Sequence, residues 1–221
     1  MTLHPGPNSD TILNMAMIQI ESVSAPFTSP RVAFQAAAAL GRADAMGLLP
    51  PDQCIETLDM PSFRKLMQHI RRAGIARNLQ FGTEDAESSG PGLELQLLNL
   101  NMALEESPVP EFEWTRLIAV LGPDLLSRLL GTSLSSIRRY SAAARTTPDD
   151  VAGRLHFLSL LVGDLSGAYN EFGIRQWFDR KRAQLGGCPP ADSLHGEWTP
   201  TQPGPRRVQD LARSLAASAV T

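Results

Sequence analysis

With 221 residues and 43% hydrophobic side chains, the chain is long enough for one large or two small domains and apolar enough to build a core. Its net charge of −3 excludes a wholesale nucleic-acid coat. The halves differ, however: residues 1–110 hold 7 Lys+Arg against 12 Asp+Glu, and residues 111–221 hold 13 against 11, so any polyanion contact belongs to the second half. Cys54 and Cys188 lie far apart, the four histidines are scattered, and no HExxH, GxSxG or P-loop spacing occurs. No disulfide, metal site, cofactor or catalytic constellation is expected. No segment approaches the roughly 18 apolar residues of a membrane helix and no signal pattern opens the chain, so a cytoplasmic protein without membrane contact is expected.

Residues 1–28 read as a loose N-terminal segment, in which 12–24 are apolar with a period that leaves strand and helix open. Ser29-Pro30 pairs an N-cap with a proline at the first helical position and predicts a helix over 32–46, closed by Gly47 and Pro50-Pro51. Residues 52–58 read as another short helix. Ser62 then caps a segment in which Leu66, Met67, Ile70 and Ala73 share a face and Gly74 ends the helix. Its other face carries Arg64, Lys65, Arg71 and Arg72, a secondary candidate for DNA contact, although such faces are more often simply solvated. Residues 83–92 form an acidic, Gly/Ser-rich connection, 93–105 a leucine-rich helix, and Ser107-Pro108-Val109-Pro110 a stiff breaker at the domain boundary.

After Pro110, Trp114, Leu117, Ile118 and Leu121 recur at helical spacing until Gly122-Pro123. A short helix over 124–130 stops at Gly131, and Thr132-Ser133 supplies a hydroxyl to cap the next helix, 135–143. Ile137 and Tyr140 face inward, while Ser133, Ser135, Ser136, Arg138 and Arg139 point outward; no acid lies between Asp124 and Asp149. Hydroxyls at a helix N-terminus bond phosphate and arginine reads a guanine edge, so Thr132, Ser133, Ser135, Ser136, Arg138 and Arg139 are the candidate DNA contacts. Arg145 is a candidate backbone clamp. Many glycine-turned helical hairpins bind nothing, and spacing alone leaves that alternative open.

The stretch "LGTSLSSIRRYSAAARTTPDDVAGRLHFLSLLV", followed by "GIRQWFDRKRAQLGGCPPADSLHG" and "GPRRVQDLARSL", resembles the Xre/MbcA/ParS antitoxin family over the last 90 to 105 residues. Trp177, the basic run Arg180 to Arg182, Leu185-Gly186-Gly187, Pro190 with Leu194, and Arg206, Arg207, Val208 and Leu211 follow that family's order of elements. The resemblance implies an Xre-type helix-turn-helix followed by a toxin-binding domain that grips a RES-type, NAD-consuming toxin. It makes Trp177, Arg180, Arg182, Leu185, Gly186, Arg206 and Arg207 candidate partner contacts. For Trp177, Phe178 and Trp198, core filling is the more ordinary reading, and exposure would instead point to a binding surface. A long helix over 151–169, with Leu155, Leu158, Leu161, Val162 and Leu165, is too apolar to stand alone and must pack against something.

The expected fold is therefore all-α: a helical domain over 29–106, a helix-turn-helix over 111–147, a small helical domain over 148–215 and a tail over 216–221. The expected function is a DNA-binding transcription regulator acting as a homodimer on double-stranded DNA, with an antitoxin-like protein-interaction domain. The alternative is a type II antitoxin that neutralises a RES-type toxin and represses its own operon. No enzyme is expected, because no nucleophile with its base, no paired carboxylates and no metal set can be assembled.

Overall fold

A computed structural model describes residues 18–51, 54–81 and 90–218. Near the start of the described chain, β1 (Gln19–Val23) and β2 (Cys54–Leu58) pair in parallel, with Gln19 opposite Cys54 and Val23 opposite Leu58. The crossover between them is α1 (Pro30–Ala45). The described fold is thus mainly α, in keeping with the helical fold expected, with a two-stranded sheet added, and the short helix expected over 52–58 is a strand over its described residues 54–58. The β-branched Ile55 and Thr57 suit a strand, and β1 offers a partner backbone. Across the pair, the Ser22 hydroxyl donates to the Glu56 carbonyl at 2.8 Å.

The next helix, α2 (Met60–Arg72), is capped by Asp59, with Ser62 at the third helical position rather than at the cap. The Asp59 carboxylate accepts from the Ser62 amide at 2.8 Å and the Ser62 hydroxyl accepts from the Asp59 amide at 3.0 Å, a reciprocal capping box. The bond from the Ser62 amide, helped by its hydroxyl, holds the Asp59 carboxyl below its usual range. Two members of the basic face are committed within the chain: Arg64 donates to the Phe81 carbonyl and Arg71 to that of Leu79. The expected connection over 83–92 lies mostly outside the described residues.

The remaining helices are α3 (Gly90–Glu105), α4 (Pro110–Leu121), α5 (Pro123–Leu130), α6 (Leu134–Ser141), α7 (Asp149–Ser166), α8 (Glu171–Asp179) and α9 (Pro203–Ser218). Two short 3-10 turns, Ala183–Leu185 and Pro190–Leu194, join α8 to α9. One core gathers Phe27, Leu40, Phe63, Met67 and Leu97; a second gathers Trp114, Leu129, Ile137, Leu158 and Trp177. They interlock, since Ala45 of α1 belongs to the second core and Leu160 of α7 to the first. Helix α7 is buried on almost every side and packs against α1, α4 and α9, as its apolar circumference requires.

The crossing of α1 and α7 carries charge into the interior. Arg42 of α1 bonds Asp164 of α7 at 2.9 Å and Glu105 of α3 at 2.6 Å, while Arg116 of α4 bonds Asp44 at 2.8 Å. Burial lifts the Asp164 carboxyl above its usual range against the pull of Arg42. Beside this lies a second buried pair, His156 Nδ1 and Glu113 Oε1, 2.6 Å apart. The His156 Nε2 is 3.0 Å from the Glu105 carbonyl, which only accepts, so Nε2 carries a hydrogen and the ring meets Glu113 through Nδ1. Burial raises the Glu113 carboxyl. Burial alone would lower the His156 imidazole, but the hydrogen bond and charge of Glu113 outweigh it and hold it above its ordinary value.

Candidate nucleic-acid interface

Helix α6 projects from a turn that only certain residues can make. Gly131 closes α5 at φ 63°, a left-handed conformation costly for other residues. A Cβ there would also stand 2.8 Å from the Gly196 carbonyl oxygen. Ser127 bridges the turn by donating to the Thr132 carbonyl at 2.6 Å, and the Trp198 indole donates to the Leu129 carbonyl at 2.8 Å. The first bond closes the hairpin on itself, and the second fastens it to the C-terminal segment.

At the start of α6, the Ser133 hydroxyl accepts from the Ser136 amide at 3.2 Å, an N-cap bond. Its oxygen also lies 3.0 Å from the hydroxyls of both Ser135 and Ser136. Ile137 and Tyr140 are buried, and Tyr140 stacks on Trp114 with centroids 5.8 Å apart. That anchoring turns Ser135, Arg138 and Arg139 to solvent, with Thr132 and Ser136 half-buried at the base. Arg145 is exposed just past the helix, its guanidinium 5.8 Å from the Tyr140 ring centre. The six DNA candidates and the clamp therefore lie along one short helix and its flanks.

The partner candidates separate into buried and exposed sets. Trp177, expected at a partner surface, is fully buried and packs edge-on against Phe178 at 5.3 Å; Phe178 and Trp198 are core as well. The reason is the spacing of Ile174, Trp177 and Phe178, which places all three on the inner face of α8. Its indole Nε1 has no hydrogen-bond partner, and Arg182 lies over its ring at 5.5 Å. Leu185 packs half-buried on the same core. Gly186, at φ 68°, lets the loop double back so that Gly187 donates to the Arg182 carbonyl at 2.9 Å. Arg180, Gly186, Arg206 and Arg207 are exposed.

Among the described residues, no group of three or more His, Cys, Asp or Glu could hold a metal, and no helix is long and apolar enough to cross a membrane. No protein-family model, no curated protein and no solved structure matches the chain. The ionic cluster of buried Arg42 and Asp164 with half-exposed Glu105 and Arg213 was not anticipated from sequence. Its signal was present: Arg42 and Asp164 are charges inside otherwise apolar helical runs, where a charge is expensive unless paired.

Proposed function

We propose that this chain is a cytoplasmic DNA-binding transcription regulator that reads double-stranded DNA with α6. The observation that carries the reading is the chemistry of one exposed face: clustered serine hydroxyls at a capped helix N-terminus, with Arg138 and Arg139 a turn further on. No acid lies between positions 124 and 149 to repel phosphate. A single short helix contacts few base pairs, so a homodimer on two half-sites about one helical turn apart is part of the proposal.

The test is selection from random duplex DNA at physiological salt. The wild-type chain should enrich a two-fold symmetric site, and the Arg138→Ala/Arg139→Ala protein should fail to shift it while melting at the wild-type temperature. Unchanged binding by that variant overturns the assignment of α6.

A second reading, a type II antitoxin that grips a RES-type toxin and represses its own operon, is favoured by the exposed side of the C-terminal region. There Arg180, Arg206 and Arg207 stand in solvent and Phe172 is 66% exposed, a large apolar side chain without cover. Co-purification with a RES-type protein encoded beside it would decide for this reading.

A further inference from the structure

A cavity of about 540 Å3 opens among α1, α3, α7 and α9, beside β1. That is the size of sites that enclose a drug-sized molecule. Its apolar lining includes Ile20, Phe34, Ala38, Leu98 and Met102, and the last two are 39% and 57% exposed. Exposed apolar side chains around a concave opening are a cost that an apolar ligand would relieve.

The polar lining joins Gln35, Asn101 and Ser166 to an ionic cluster that is nearly self-satisfied. Arg42 Nε bonds Asp164 Oδ1 at 2.9 Å and its Nη1 bonds Glu105 Oε1 at 2.6 Å, while Arg213 Nη2 bonds Glu105 Oε2 at 2.9 Å. Two cations face two carboxylates, so an ion entering the cavity gains no net attraction to offset its lost hydration. Two buried atoms remain without a hydrogen bond: the acceptor Asp164 Oδ2 and the donor Arg213 Nε, 3.7 Å apart. That separation is too long for a bond between them. Unsatisfied buried polar atoms carry a desolvation penalty, which a ligand supplying one donor and one acceptor side by side would remove. Both atoms are covered, so a ligand reaches them by displacing the Arg213 side chain, which is 39% exposed, while Asp164, at 3%, stays in place.

We propose that this cavity is a binding site for a small uncharged molecule with an apolar body and an amide head. The amide N–H donates to Asp164 Oδ2 and its carbonyl accepts from Arg213 Nε. The site is independent of the DNA reading, and its occupant braces helices from both cores against each other.

Calorimetric titration of the full chain with 4-butylbenzamide, 4-butylbenzoate and 4-butylbenzylamine tests this. The amide should bind one-to-one, about tenfold or more tighter than either ion, because a donor–acceptor site rejects analogues that leave one of its groups unpaired. Ala38→Phe, which places a ring in the cavity, and Arg213→Met, which removes the donor at a half-exposed position, should each weaken the amide about tenfold or more. If Ala38→Phe does not fold, Leu98→Trp at the rim gives the same readout. The proposal is overturned if the amide fails to bind up to its solubility limit, if either ion binds as tightly, or if the folded cavity-filling variant binds like wild type.

Discussion

Gly163 of α7 lies directly against Arg42 of α1: a Cβ at position 163 would stand 2.7 Å from the Arg42 Cα and 2.9 Å from its backbone nitrogen. No side chain fits that crossing without separating the helices. Opposite it, a Cβ on Gly41 would come 3.2 Å from the Gly163 carbonyl oxygen. This close approach brings the Arg42 guanidinium onto Asp164 and locks the two cores together.

Gly163→Ala should therefore destabilise the fold by about 2 kcal/mol, the usual cost of overpacking a rigid contact. For a chain of this length that lowers the melting temperature by roughly 4–8 °C. Differential scanning calorimetry reads it directly, and a melting temperature equal to wild type would show that the crossing can relax.

The His156–Glu113 pair predicts how stability responds to alkali. Both groups hold protons in the folded state above their ordinary values of 6.5 and 4.5: the hydrogen bond and charge of Glu113 outweigh burial at His156, and burial itself raises Glu113. Protons retained by the folded chain and released by the unfolded one stabilise at low pH, and that stability is lost as pH rises through the folded-state values. The wild-type melting temperature should fall as pH is raised above 6.5, the ordinary imidazole value. The Glu113→Gln/His156→Gln protein should lack that decline. Parallel pH profiles for the two proteins would remove the pair as its source.

Burial of Trp177 separates packing from recognition in the C-terminal region. Trp177→Ala should cost about 3–5 kcal/mol by emptying the core. Arg206→Ala and Arg207→Ala, at exposed positions on α9, should change stability by no more than about 0.5 kcal/mol. Urea titrations of the three variants distinguish these effects, and equal losses would place the two arginines in the packing.

At Arg145, the expected contribution is to affinity without sequence discrimination. Arg145→Ala should weaken every duplex alike and reduce the slope of log K against log salt by about 1, as one lost phosphate contact requires. A change in sequence preference instead would mean that Arg145 reads bases.

Reading the sequence located the helices of the second half to within a few residues, because their signals are local: Gly122-Pro123, Gly131 and Ser133 punctuate runs with inward leucines at helical spacing. The same local reading gave a helix over 52–58, since nothing near Ile55 and Thr57 discloses that β1 lies more than 30 residues upstream to pair with them. It also offered Trp177 to a partner, although the stripe with Ile174 and Phe178 already pointed to the core.

The hairpin of α5 and α6 was legible in the residues alone: its glycine turn, its serine cap and the outward arginines follow from backbone conformation and helical period, which depend on neighbours in the chain. Where the charges at 42, 105, 164 and 213 meet emerges from the packing of the helices. They sit on four different helices, and the packing of α1 against α7 through Gly41 and Gly163 brings them to one ionic cluster at the edge of the cavity. Distance along the chain separates the two: capping and turns act over a few residues, whereas burial and ion pairing act between surfaces that exist only once the helices have packed.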